Sequence, residues 1–276
     1  MFSDNHIHTD FSPDGTASME TMVKSAISKN FQELVITDHL DFDSPTPDYC
    51  QMNLDQYVAT FQSLKNQYEK EIRLRLGIEI GIQSHVIHLI NRVLDKCPFD
   101  FVIGSTHTDN GISFSSEKYF YRTTTQTAYL RYFEIFLSNI KHLNNYDVCG
   151  HLDFIARYNP RGSKELNPQD FAELLDTILK TIIETGHGIE LNTSGYNYSL
   201  NRTHPSLDVL KRYRELGGEI ITVGSDAHAP ANIGANFKLA YELLKTAGFN
   251  YITQFIARKP YFIEIDKIQK DCASIA

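Results

Sequence analysis

The sequence lacks several features that mark particular classes of protein. No apolar run approaches the roughly 20 residues that a membrane-spanning helix requires, so we expect no membrane partner. The first residues hold no basic segment followed by an apolar core, which argues against a secretory signal and favours a cytoplasmic protein. Runs of lysine or arginine are absent and the formal net charge is −8, so we expect no nucleic-acid partner.

Cysteine is scarce, and low-complexity segments are absent. The four cysteines lie far apart and form no CxxC pair, so we expect reduced structural thiols. They are Cys50, Cys97, Cys149 and Cys272. No linker rich in Gly, Ser or Pro interrupts the chain, and we therefore predict no domain boundary.

Short apolar runs alternate with longer runs that have helical spacing. The predicted strands lie at 2–8, 33–37, 73–80, 99–104, 147–151, 188–192 and 219–224, with an irregular last strand within 251–265. The predicted helices lie at 19–30, 54–68, 86–94, 125–142, 174–183, 207–216 and 233–247. This alternation predicts a parallel sheet covered by helices. Because no GxGxxG and no Walker loop is present, we favour a closed barrel over a doubly wound sheet.

Clusters of histidine and acidic residues recur where the apolar runs end. The clusters are HIH (6–8), TDH (37–39), GIE (77–79), STH (105–107), GHLD (150–153) and GSDAH (224–228). In a parallel barrel, the carboxyl ends of all strands meet at one face. Imidazole nitrogens and carboxylate oxygens are the ligands of hydrolytic metals. The sequence therefore predicts one multinuclear metal site built from the whole length of the chain.

These clusters resemble, in the same order, the motifs of the PHP family, the polymerase and histidinol phosphatase group of metal-dependent phosphoesterases. The matching stretches include HIHTDFSPDG (6–15), GIEIG (77–81) and GSDAH (224–228), and the resemblance covers nearly the whole chain. It implies an α/β fold, a distorted (β/α)7 TIM-like barrel, as a single PHP-type domain over residues 1–276. It also implies three divalent metal ions, which are zinc, iron or manganese.

The resemblance also implies which residues hold the metal ions. His6, His8, Glu79 and Asp226 hold the first ion, Glu79, His107 and His151 the second, and Asp14, His39 and His228 the third. Glu79 is then a bridging ligand. In some relatives the position of Asp14 is a histidine, and Asp10 is the local competitor for that role.

Within the family, the chain resembles the monofunctional L-histidinol phosphate phosphatases. The stretches that carry this resemblance are DFDSP (41–45), HLDFIARY (151–158) and GIELNTSGY (188–196). They imply a phosphomonoesterase of histidine biosynthesis with a small phosphorylated substrate. Two alternatives stay open: a phosphoesterase that acts on another small phosphate ester or an oligonucleotide, and a noncatalytic metal-binding module. The oligomeric state is also open.

Arginine is the side chain best suited to bind a phosphate, because its guanidinium donates two parallel hydrogen bonds. Arg161 and Arg202 follow predicted strands in loops, and we predict that both bind substrate and that Arg161 is also catalytic. Arg157 is a third candidate. Each of these arginines is alternatively a solvated loop residue.

The strand end at 192–195 (NTSG) holds no predicted metal ligand, so we predict that Asn192 and Ser194 face the substrate. Asp226 and His228 are predicted to be catalytic as well as metal-binding, since either of them, or alternatively a metal-bound water, could protonate the leaving group. Asp109, Glu117 and Glu165 are candidates to meet the amine and the imidazole of the substrate, and each is alternatively a solvated loop charge. The aromatic loop 108–124 is either a lid over the site or a surface excursion.

Overall fold

The computed structural model of the protein describes residues 3–160, 167–198 and 200–273, with side chains through residue 269. The strands are β1 Ser3–Asp4, β2 Glu33–Ile36, β3 His39–Leu40, β4 Arg73–Gly81, β5 Phe101–Ser105, β6 Thr108–Asp109, β7 Ile112–Ser113, β8 Val148–Cys149, β9 Gly188–Asn192, β10 Ile221–Gly224, β11 Tyr251–Ile256 and β12 Lys259–Glu264. The α-helices are α1 Met19–Ser28, α2 Leu54–Gln67, α3 Ile87–Lys96, α4 Glu117–Phe120, α5 Thr125–His142, α6 Ala172–Glu184, α7 Leu207–Glu215, α8 Phe237–Thr246 and α9 Ile265–Ala273.

Seven parallel strands form a nearly closed barrel in the order β1, β2, β4, β5, β8, β9 and β10. β3 follows β2 and also pairs with β4. The barrel closes because the segment after β1 lies beside β10: Asn5 N donates to Val223 O at 3.1 Å, and Asp226 N donates to His6 O at 2.8 Å. The predicted α/β barrel is confirmed.

The helices lie outside the barrel, where each buries one apolar face. α1 begins after Ser18, whose Oγ accepts a hydrogen bond from Thr21 N at 3.2 Å, as N-cap serines do. α5 packs an aromatic stripe into the core. The stripe consists of Tyr129, Tyr132, Phe133 and Phe136, all buried. None of the helices in the described part of the chain is both long and apolar enough to cross a membrane.

A hairpin of β11 and β12 closes the end of the barrel opposite to the strand ends that carry the polar clusters. Phe255 of this hairpin is buried against Val35, Phe101, Ile103 and Val148 inside the barrel. The sequence pattern predicts one irregular strand here, whereas the structure has two antiparallel strands followed by α9. The sequence pattern does not reveal the hairpin because its turn lacks the glycine or asparagine that marks tight hairpins.

The turn residues are Ala257 and Arg258, both with positive φ. Ala257 N donates to Asp100 Oδ1 at 2.9 Å, and Arg258 Nε donates to Asp147 Oδ2 at 2.6 Å. These bonds to two distant aspartates hold a turn conformation that the local sequence does not favour.

Candidate metal centre

Glu79 lies at the centre of the polar strand ends. It belongs to the last part of β4, and its side chain is fully buried. Its Oε2 atom is 3.0 Å from His39 Nδ1, 3.2 Å from His6 Nε2 and 3.5 Å from His8 Nε2. One carboxylate oxygen therefore faces three imidazole nitrogens from two different strand ends.

The other oxygen of Glu79 faces a second group of side chains. Oε1 is 2.9 Å from His151 Nε2, which follows β8, and 3.3 Å from His107 Nε2, which follows β5. It also accepts a hydrogen bond from Ser105 Oγ at 2.6 Å. The two oxygens thus serve separate groups, as the oxygens of a bridging ligand do.

Asp226 follows β10 and completes the first group. Its Oδ1 atom is 3.3 Å from His8 Nε2 and 3.7 Å from His6 Nε2. Its φ of 54° lies in the left-handed region, which is uncommon for a residue other than glycine and is often found at functional sites.

His228 and Asp14 lie at the mouth of the centre. His228 Nε2 is 3.0 Å from Asp14 Oδ2, and His39 Nε2 is 3.8 Å from the same oxygen. Asp10 is exposed, and its backbone N donates to Ala17 O at 2.9 Å. The structure therefore brings Asp14, and not Asp10, to the histidines.

The donor atoms of this centre suit divalent metal ions. Four groups of three residues have donor atoms within 4.8 Å of one another: His8–His39–His228, His6–Glu79–His151, His6–His8–Asp226 and His39–Glu79–His107. His39 Nδ1 is buried and has no hydrogen-bond partner, although it faces an oxygen of Glu79. Imidazole nitrogens and carboxylate oxygens are the donors that zinc, iron and manganese accept. The residues present therefore fit such a metal centre.

The electrostatics of the centre differ between its side chains. Burial alone would lower the pKa values of His6, His39, His107 and His228, but the neighbouring carboxylates raise them above the ordinary value, so metal binding would have to release these protons. Burial alone would raise the pKa of the Glu79 carboxyl, but the charges of His6 and His39 lower that pKa well below its ordinary value. Burial lowers the pKa of His8 well below its ordinary value, and the charge of His228 adds to this effect. Glu79 is thus ionised and His8 neutral, which are the metal-binding forms of these side chains.

Two buried carboxylates lie behind the histidines, and the sequence reasoning did not select either of them. Glu190 Oε1 is 2.7 Å from His6 Nδ1, and Asp41 Oδ2 is 2.7 Å from His107 Nδ1. The available signal for Glu190 was a charged residue in the middle of the apolar run 188–192.

Among the candidate arginines that the structure describes, Arg157 is the one whose side chain contacts a predicted metal ligand. It lies in a short 3-10 helix after His151 and is only 5% exposed. Its Nη2 donates to Asp226 Oδ2 at 2.8 Å and to Ser194 Oγ at 2.6 Å, and its Nε donates to His204 Nε2 at 3.1 Å.

Asn192 and Ser194 are both buried and contact the same carboxylate. Asn192 Nδ2 and Ser194 Oγ donate to Asp226 Oδ2 at 3.3 and 3.1 Å. Ser194 Oγ is also 2.5 Å from Asn192 Oδ1. These contacts place the two side chains beneath Asp226, and their predicted contact with substrate stays a prediction.

Arg202, the other candidate arginine that the structure describes, has different surroundings. Arg202 donates from Nη1 to Asp153 Oδ2 at 2.5 Å and to Thr203 O at 2.8 Å, so this nitrogen is engaged inside the protein. Arg161, predicted to bind substrate and to be catalytic, lies outside the described residues. Glu165 lies outside them as well.

A pocket of about 170 Å³ opens above the metal centre. Its lining includes Asp14, His39, His107, His151, Asp226 and His228 of the centre, together with Arg157 and the aromatic side chains Tyr49, Phe154, Tyr158 and Tyr198. Part of the loop 108–124 also reaches the pocket, through Thr108, Ser113 and Ser115.

The remaining acidic candidates, Asp109 and Glu117, do not line this pocket. Asp109 is buried and forms an ion pair with Arg131. Glu117 is exposed at the start of α4. Their predicted contact with the amine and the imidazole of the substrate stays a prediction.

Comparisons with known proteins agree with this geometry. The PHP domain family model matches residues 4–194. The chain is 30% identical to the histidinol-phosphatase of Lactococcus lactis over 97% of both chains, and 24% identical to that of Bacillus subtilis over 87% of this chain and 98% of the relative. The crystal structure of the Lactococcus lactis histidinol phosphate phosphatase with zinc, L-histidinol and phosphate matches with a TM-score of 0.88 and 29% identity, covering 95% of this chain and 100% of that chain. This chain, with its ring of histidines and carboxylates at the strand ends of a parallel barrel, belongs to the PHP domain family of histidinol-phosphatases.

Proposed function

We propose that this protein is a metal-dependent phosphatase that hydrolyses L-histidinol phosphate to L-histidinol and inorganic phosphate, a reaction of histidine biosynthesis. The observation that carries the proposal is the convergence of histidines and carboxylates around Glu79, beside the buried Arg157. The Lactococcus lactis relative, with zinc, L-histidinol and phosphate bound, supports the same substrate class.

Three divalent metal ions are proposed for the centre, and the bound zinc of the relative supports zinc as one of the metals. The proposed ligands are His6, His8, Asp14, His39, Glu79, His107, His151, Asp226 and His228. When bound, such ions lower the pKa of water to about 7 and offset the negative charge of phosphoryl oxygens.

Arg157 is the proposed phosphate-binding arginine of the described residues. Its guanidinium is fixed by Asp226, Ser194 and His204, so its direction toward the pocket is set before substrate binds. A preorganised donor at this place stabilises charge on the phosphoryl oxygens without having to reorient. Arg202, engaged by Asp153, is proposed to support that aspartate, and Arg161 stays a predicted substrate contact.

Asp226 is proposed as a ligand and not as the proton donor to the leaving alkoxide. Its Oδ2 atom accepts hydrogen bonds from Arg157, Ser194 and Asn192. Burial alone would raise the pKa of this carboxyl, but the charges of His6 and Arg157 hold it well below its ordinary value. A carboxylate in these surroundings stays ionised, so His228 or a water molecule remains as the donor.

The test is phosphate release from L-histidinol phosphate and from a panel of other phosphate esters and short oligonucleotides, with metal-loaded and chelator-treated protein. We expect fast release from L-histidinol phosphate, loss with chelator and recovery with added Zn²⁺. If the fully metallated protein releases no phosphate from L-histidinol phosphate, the proposal is wrong. Preferred release from an oligonucleotide would instead support the alternative phosphoesterase activity.

A further inference from the structure

Glu190 connects three strands of the barrel from a position behind the metal centre. It lies in β9 and is 1% exposed. Its Oε1 atom is 2.7 Å from His6 Nδ1, and its Oε2 atom accepts hydrogen bonds from His151 N and Asn192 Nδ2, both at 3.0 Å. One carboxylate thus contacts two of the candidate metal ligands, which follow β1 and β8.

Gly224 makes room for this contact. A Cβ atom at position 224 would lie 2.3 Å from Glu190 Oε1 and 2.4 Å from His6 Cβ, closer than any real Cβ contact. Because any other residue would displace the pair, the last residue of β10 has to be glycine for Glu190 to reach His6.

The hydrogen bond determines which nitrogen of His6 carries the proton. An ionised carboxylate only accepts hydrogen bonds, so His6 Nδ1 must be the donor. The neutral ring then keeps its lone pair on Nε2, the atom that faces Glu79 and His8. Partners of this kind orient metal-binding histidines and raise their basicity.

We propose that Glu190 is a positioning residue that fixes the tautomer of His6 and the backbone of His151 for metal binding. The inference rests on the metal dependence in the proposed function. Asp41 makes the same kind of contact with His107, at 2.7 Å, and a Cβ at Gly81 would lie 2.4 Å from Asp41 Oδ1. The arrangement of a carboxylate behind a histidine, with a glycine that admits it, therefore occurs twice in this centre.

The substitution Glu190→Gln separates this role from simple packing, because it changes one oxygen into an NH₂ group at nearly constant volume. Both oxygens of Glu190 accept hydrogen bonds, and an amide offers one acceptor. If its NH₂ faces His6, the ring must carry its proton on Nε2, where the proton points at the metal centre. If the NH₂ faces His151 N, two donors meet.

The experiment measures Zn²⁺ dissociation constants by competition with a chromogenic chelator, and the visible spectrum of the Co²⁺-substituted protein, in the absence of substrate. Glu190→Gln should weaken Zn²⁺ binding roughly 10- to 100-fold and alter the Co²⁺ spectrum. Glu190→Asp keeps the charge but has a side chain shorter by one methylene group, so it should give an intermediate Zn²⁺ affinity. It replaces Glu190→Gln as the test variant if that variant folds poorly.

Glu33→Gln is the matched control. Glu33 is also a buried strand glutamate, but it contacts Gln254 and Arg75 at the opposite end of the barrel. We expect parental Zn²⁺ affinity for this variant. Parental Zn²⁺ affinity in Glu190→Gln, or an equal loss in Glu33→Gln, would overturn the inference. A parent protein that binds Zn²⁺ but leaves L-histidinol phosphate intact contradicts the proposed function alone.

Discussion

Arg157 Nη2 donates to Asp226 Oδ2 across 2.8 Å, although 69 positions separate the two residues in the chain. Both side chains are almost fully buried. The contact joins the turn after β8 to the end of β10, and Phe154 and Tyr198 pack on the guanidinium at 5.2 and 4.6 Å from their ring centres. The pair therefore couples the proposed phosphate-binding group to a proposed metal ligand.

Replacing Arg157 should damage catalysis more than replacing Arg202. Arg157→Lys keeps the charge but loses the planar fork, so it cannot hold Asp226, Ser194 and His204 together. We expect kcat/KM for L-histidinol phosphate to fall by roughly 100-fold or more. Steady-state kinetics, with inhibition by inorganic phosphate as a second measure, check this expectation.

Arg202→Lys is the control for this prediction, since Arg202 also forms an ion pair with a buried aspartate, Asp153, which is not a proposed metal ligand. A larger loss of kcat/KM and of phosphate inhibition in Arg202→Lys than in Arg157→Lys would reverse the assignment. Circular dichroism and Tm of both variants separate kinetic effects from unfolding.

Removing the metal ions should lower stability as well as activity. Without cations, the carboxylates of Glu79 and Asp226 stay buried among closely spaced imidazole donor atoms. A ligand at a thousand times its Kd stabilises the folded state by about 4 kcal/mol, which is a Tm difference on the order of 10 °C for a chain of this size. Differential scanning calorimetry measures this Tm difference in protein treated with chelator and in the same protein after Zn²⁺ is restored. Equal Tm values with and without chelator would contradict a buried metal centre.

Phe255 should be a major contributor to the stability of the barrel. It fills the barrel interior against Phe101 and Val148 and is 5% exposed. Phe255→Ala should cost about 3–5 kcal/mol of unfolding free energy, because it removes a buried ring and leaves a cavity. Phe262→Ala, in the same hairpin but 49% exposed, should change stability by about 0.5 kcal/mol or less. Urea unfolding measures both, and similar losses in the two variants would show that the hairpin does not close the barrel through Phe255.

The polar strand ends could be predicted from the sequence because each candidate ligand lies within or just after an apolar run. His6, Glu79 and His107 are examples, and the structure brings them together as that pattern implies. Because parallel strands place their carboxyl ends at one face, the order of motifs along the chain was sufficient to predict that these residues form one site. The α/β barrel followed from the same alternation.

Contacts between distant residues were not predictable in this way. No local sequence pattern marks Arg157 as part of the site, because its partners Ser194 and Asp226 come from two other strand ends. Glu190 lies inside a strand, and the alternation of residues along that strand does not predict its contact with His6, which is 184 positions away. The turn at Ala257 likewise depends on bonds to residues about 100 or more positions away in sequence, such as Asp100.

Asp147 should make folding stability depend on pH at the end of the barrel that lies away from the metal centre. Burial raises the pKa of its carboxyl from 3.8 to about 6, against the opposing effect of Arg258. Below about pH 4 the group is protonated in both the folded and the unfolded chain. Between about pH 4 and 6 the unfolded chain ionises first, so stability falls as pH rises, by on the order of 3 kcal/mol for the whole shift.

Asp147→Asn has no proton to lose, so the unfolding free energy of the parent minus that of Asp147→Asn should decrease between pH 4 and pH 7. Urea unfolding of both proteins at each pH, with chelator present throughout, keeps metal release out of the difference. Asp55→Asn supplies the control, because Asp55 is an exposed carboxylate whose side chain is 84% accessible. A difference that stays constant, or that grows toward pH 7, would mean that Arg258 outweighs burial and that Asp147 is ionised in the folded protein.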